Sequence, residues 1–182
     1  MKLLLTSCGL ETPRITQTFL SLLPCPPQQA RALFIPTAAI TCDAIEVLPK
    51  CLEDLFRVGI DRTRITIHDL HSPLTLDYLA QFDCLYIAGG DTSYLASRIR
   101  NHASALLDLL AQGRAVVLGV SAGSMIFSAS VPAGLNVLPN PLHVHCVKGT
   151  SDGPLPPPSQ PIHLSNTQAI VFANDDGPFL FS

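Results

Sequence analysis

The sequence predicts an α/β fold, a parallel sheet sandwiched between two helical layers with a short, mostly antiparallel C-terminal extension. Three observations carry this. Short apolar runs alternate with longer amphipathic stretches through the first two thirds of the chain. Most of those runs are continuously apolar, as strands covered on both faces require. From about Ser128 the texture changes to proline-rich loops and short strands.

Taken in order, the expected strands are Lys2–Thr6, Ala32–Ile35, Arg64–His68, Cys84–Ala88 and Ala115–Gly119. The helices expected between them are Arg14–Leu23, Asp43–Val58, Leu76–Gln81 and Thr92–Gln112. In the second helix Ile45, Leu48, Leu52, Leu55 and Phe56 recur at helical spacing. Asp43 stands where an N-cap belongs, with Glu46 three residues on, and Gly59 is a helix stop. Pro49 inside this helix predicts a kink or break, because proline lacks the N–H and clashes with the preceding turn. Lys148–Pro161 reads as an exposed extended loop. Strands at Ile162–Leu164, Gln168–Ala173 and Phe179–Phe181 follow, with Asp176-Gly177 as a hairpin turn.

The chain of 182 residues is expected to form one domain over 1–182. Its 47% hydrophobic content supports a buried core, and its net charge of −3 gives no basic surface for nucleic acid or an anionic membrane. No apolar run approaches the roughly 18 residues of a membrane span. The apolar start, Met1–Leu5, is too short for a signal peptide and reads as a buried first strand. Six cysteines stand singly, none in C-x-x-C spacing, so reduced thiols in a cytoplasmic protein are expected, most of them small core residues.

In a parallel sheet of this kind, sites form at the carboxyl ends of strands. That rule points to Cys8-Gly9, to Gly89-Gly90-Asp91 and to Ser121. The strongest signal is Gly119-Val120-Ser121-Ala122-Gly123, a G-x-S-x-G sequence between a buried strand and a helix start. A sharp strand-to-helix turn projects the serine hydroxyl outward, and small neighbours let the two backbones approach. The alternative is an ordinary tight turn with a capping serine. The glycine pair Gly89-Gly90 allows close backbone approach to a ligand, and Asp91 is a candidate cap for the following helix. Neither G-x-G-x-x-G nor G-x-x-x-x-G-K-[ST] is present, which argues against a nucleotide site.

A nucleophilic serine needs a base. His102 falls on a polar, solvated helix face, and His68 and His71 flank a loop. His143 and His145, two apart, share one face of an extended segment. The pair could also ligate zinc, but no third ligand stands nearby in sequence, and neither metal nor cofactor is expected.

These segments resemble the peptidase S51 family, which includes peptidase E (an aspartyl dipeptidase) and, more distantly, cyanophycinase. The family sits within the class I glutamine amidotransferase-like fold. The resemblance rests on Tyr86–Leu95, on Gly119–Ser124, and on Gly134–Pro139 running into His143-Val144-His145-Cys146. Met1–Ser7 and Phe34–Ala38 also look similar. It implies that Ser121 is the nucleophile and His145 its base, since the family histidine precedes a position matched here by Cys146. It also implies that the Gly90 and Ala122 N–H groups hold the oxyanion, and that Gly89 and Asp91 lie beside the substrate. The family's third triad member is an acid. Asn166 stands at one candidate position for it and Asn136 at another, with Asp152, Asp175 and Asp176 as further orienters. The stretch from Ser121 to His145 is shorter than in peptidase E and lacks the arginine that recognises an N-terminal aspartate.

The implied function is a serine-type hydrolase of small peptides, Asp-Xaa dipeptides among them, working through an acyl-enzyme. The expected partners are a small peptide substrate and a second copy in a homodimer, with no nucleic acid and no membrane. The alternative is a relative that keeps the fold and binds a small ligand without catalysis. An α/β-hydrolase esterase fits less well, because the chain leaves little room for that fold's later strands and helices.

Overall fold

The computed structural model describes residues 1–173 and 177–182. Chain order runs β1 (Lys2–Thr6), α1 (Pro13–Leu22), β2 (Ala32–Ile35), α2 (Cys42–Glu46), α3 (Leu48–Arg57), β3 (Ile65–Ile67), α4 (Leu76–Leu79), β4 (Cys84–Ile87), α5 (Thr92–Ile99), α6 (Ala103–Gln112), β5 (Val116–Val120) and α7 (Ala122–Met125). The short strands β6 (Leu142–His143), β7 (Gly153–Pro154) and β8 (Ile162–His163) precede β9 (Ala169–Ala173) and β10 (Pro178–Phe181). The main sheet has the order β3-β2-β4-β5-β1-β9-β10-β7. Pairings among β1 to β5 are parallel, and those made by β9, β10 and β7 are antiparallel. β6 and β8 form a separate parallel pair.

Side-chain alternation along the strands divides the core in two. Leu3, Leu5, Leu33, Ile35, Leu85 and Ile87 pack with the apolar faces of α5 and α6. Leu4, Phe34, Tyr86, Val116 and Leu118 pack with Ile15 and Phe19 of α1 and Leu55 of α3. These are the two helical layers expected from the apolar strands. The winding explains their sides. From β1 to β3 the chain moves one way along the sheet, and from β3 to β5 it moves back. Right-handed crossovers then place α1 and α3 on one face and α4, α5 and α6 on the other. β1 and β5 are neighbours whose chains leave toward opposite faces, which opens a crevice at their carboxyl ends.

Several local expectations are corrected. The helix expected over Asp43–Val58 is two helices, broken at Val47, with Pro49 in the first turn of α3 where its missing N–H costs nothing. Thr41, not Asp43, caps α2, its hydroxyl accepting from Ala44 N at 3.4 Å. The helix expected over Thr92–Gln112 is interrupted by a 3₁₀ turn at Arg100–His102. His102 is not solvated: it is buried, and its Nε2 lies 3.0 Å from the Leu70 carbonyl. Of the cysteines only Cys84 is fully buried, and Cys42 is exposed. The Lys148–Pro161 loop contributes β7, an edge strand paired to β10. Asp176 of the expected hairpin turn lies outside the described residues. Among the described residues, no helix is long and apolar enough to cross a membrane.

Candidate active site

Ser121 stands between β5 and α7 with φ 52° and ψ −114°, a conformation that side-chain-bearing residues rarely adopt. Such a residue costs about 1–3 kcal/mol and needs a surround that fixes it. The surround is visible. Ser121 N donates to the Thr6 carbonyl of β1 at 3.0 Å. The buried Ser124 hydroxyl lies 2.7 Å from both the Thr6 and Gly119 carbonyls and accepts from Thr6 N at 2.9 Å. A Cβ on Gly119 would stand 2.4 Å from the Gly123 carbonyl oxygen, and one on Gly123 would stand 2.1 Å from that of Ile87. Both glycines of the G-x-S-x-G segment are therefore dictated by backbone contact.

The histidine pair departs from the expected alternation. β6 ends at His143, and His145 has φ 57°, so the two rings do not share a strand face. His143 meets His163 with ring centroids 5.1 Å apart. His145 turns back to Ser121, with Nε2 2.9 Å from Ser121 Oγ. Its Nδ1 is 3.1 Å from Asn166 Oδ1. That amide oxygen only accepts, so Nδ1 carries the proton and Nε2 is left to accept from the serine.

Sequence reasoning missed Ser7. This buried hydroxyl accepts from His145 N at 2.6 Å and donates to Asn166 Oδ1 at 3.3 Å. It ties the left-handed backbone at His145 to the amide that orients the ring. The available signal was its place one residue beyond β1. Cys8 Sγ also approaches His145 Nδ1, at 3.7 Å. Burial, reinforced by Glu11, pushes the Cys8 thiol above its ordinary range, so it stays protonated at neutral pH.

Gly89, Gly90, Asp91, Ser121 and His145 line one cavity of about 500 Å³. Gly90 has φ 141°, and a Cβ there would stand 2.0 Å from the Ala38 carbonyl oxygen. The N–H groups of Gly90 and Ala122 have no hydrogen-bond partner among the described residues. Asp91 accepts from Tyr94 N at 2.7 Å, the cap expected for α5. The other orienter positions lie apart from this cluster. Asp152 binds Ser182, Gln168 and Arg14. Asn136 is exposed and makes no side-chain hydrogen bond among the described residues. Asp175 and Asp176 lie outside the described residues. Among the described residues, no group of three His, Cys, Asp or Glu side chains is placed to hold a metal ion.

A model of peptidase family S51 matches residues 3–135, which includes the glycine pair and the whole turn around Ser121. The chain belongs to peptidase family S51. That match ends before His145 and Asn166, so their approach to Ser121 is read from the tertiary structure alone. The fold is similar to that of the "Putative Peptidase E Protein" from Listeria monocytogenes EGD-e, at TM-score 0.73 and 19% identity, covering 99% of this chain and 97% of that one. It is also similar to a peptidase from an acI-B1 Actinobacterium, at TM-score 0.64 and 17% identity, covering 100% of this chain and 87% of that one. A comparison with curated proteins gave no match. The S51 chain thus has the expected layered sheet, with antiparallel strands completing its C-terminal side.

Proposed function

We propose that this S51 chain is a serine-type peptidase that cleaves small peptides through an acyl-enzyme on Ser121. The observation that carries the reading is the 2.9 Å contact between Ser121 Oγ and His145 Nε2 on a turn that holds the serine at positive φ. His145 takes the hydroxyl proton as Ser121 attacks the scissile carbonyl. The free N–H groups of Gly90 and Ala122 are the donors for the developing oxyanion. The imidazolium then gives its proton to the leaving amine. In the second half, water attacks the ester, His145 again takes and returns a proton, and the acid product leaves. Asn166 holds the ring tautomer but adds no charge to stabilise the imidazolium.

That neutral third partner favours a second reading, a ligand-binding relative without turnover. A fluorophosphonate probe separates the two. Stoichiometric labelling of the wild-type protein, absent from Ser121→Ala, is expected for the peptidase. Failure of the wild type to label, or equal labelling of the variant, refutes it.

A further inference from the structure

The cavity around Ser121 also carries information about what enters it. The α2–α3 region supplies Ala44 and Val47, and Val120 adds a third apolar side chain. Lys50 is the one cationic lysine or arginine among the described lining residues, and its ammonium is already taken by Glu11 at 3.2 Å. The Glu11 carboxylate raises the Lys50 pKa, as expected of a group whose charge is answered locally. Asp54 lines the cavity too, but is bound by Arg57, by the Tyr86 hydroxyl and by Leu10 N. Asp43 and Asp91 are left as lining carboxylates with no salt-bridge partner among the described residues.

A cavity with this balance repels a carboxylate on the substrate's N-terminal side chain and attracts its N-terminal ammonium. Its volume, about 500 Å³, lies in the range of small-molecule sites. We propose that the preferred substrates are short peptides with a free N-terminal ammonium and a small, uncharged apolar N-terminal side chain, and that N-terminal aspartyl peptides are disfavoured. The apolar side chain would be covered by Ala44, Val47 and Val120, and the ammonium held in the field of Asp43 and Asp91. This inference rests on the peptidase reading of the same site, but it concerns recognition and is testable without turnover.

The test compares Ala-Leu, Val-Leu, Asp-Leu and N-acetyl-Ala-Leu. Wild-type kcat/KM is expected to be at least about tenfold higher for Ala-Leu and Val-Leu than for Asp-Leu, with a loss of similar size on acetylation. Calorimetry on Ser121→Ala is expected to give the same order of affinities. The exposed Asp43→Lys variant should narrow the Ala-Leu to Asp-Leu ratio several-fold. Equal or better use of Asp-Leu, binding of none of the four peptides, or an unchanged ratio in Asp43→Lys overturns the proposal. Fluorophosphonate labelling of Ser121 keeps the failures distinct. Labelling together with a preference for Asp-Leu leaves the peptidase reading intact. Correct binding order without labelling or turnover leaves the recognition intact and removes the peptidase.

Discussion

Asn166→Asp places a carboxylate where the wild-type chain has a neutral amide, 3.1 Å from His145 Nδ1. A charge centre about 4 Å from the imidazolium is worth about 1 kcal/mol in water and about 4 kcal/mol at an effective dielectric constant of 20. His145 is exposed, so the lower part of that range applies. A gain of about 1–2 kcal/mol corresponds to roughly five- to thirtyfold in kcat/KM. Ser7 can still donate to the new carboxylate, so the positioning is preserved. The assay is kcat/KM of both proteins at neutral pH on a dipeptide cleaved by the wild type, with Asn166→Ala as control. That control loses a hydrogen bond of about 1 kcal/mol and should fall about fivefold at neutral pH. An unchanged rate in Asn166→Asp would refute Asn166 as the partner that orients His145.

Two further outcomes concern stability. Ser124→Ala removes a buried hydroxyl that joins the ends of β1 and β5 and should cost about 2–3 kcal/mol in urea unfolding; Gly123→Ala should cost as much or more, because its Cβ meets backbone. Asp152 is the pH-sensitive tie of the C-terminus. Burial raises its pKa, but hydrogen bonds from the Ser182 hydroxyl and N–H and from Gln168, with the Arg14 charge, together outweigh this and hold it below the ordinary value. A depressed carboxylate contributes stability above its unfolded pKa of about 4 and loses it as pH falls through the folded value. The Tm deficit of Asp152→Asn should accordingly be present at pH 7 and shrink toward pH 3 in thermal unfolding.

The layered sheet was legible because burial on both faces leaves a local mark. Leu3-Leu4-Leu5 and Val116-Val117-Leu118 are apolar at every position, whichever core each side chain enters. The turn at Ser121 was legible for the same reason, since Gly119 and Gly123 record backbone contacts made within a few residues and with the adjacent strand. Helix breaks were less so. Pro49 announced a break but not its place, and the interruption before Ala103 depends on a distant carbonyl at Leu70 that receives the His102 ring.

By itself, the sequence determined the strand-turn-helix that exposes Ser121, the glycine pair beside it and the family resemblance. The resemblance also named His145 and Asn166 as its partners, but their placement around Ser121, and the part Ser7 takes in it, belong to three dimensions. His145 comes from a left-handed turn after β6, Asn166 from the loop before β9, and Ser7 from the end of β1. Hydrogen bonds between residues 21 to 159 positions apart leave no periodic trace in the chain. It is the antiparallel pairing of β9 against β1 that carries Asn166 to Ser7, and through them fixes the ring that faces the serine.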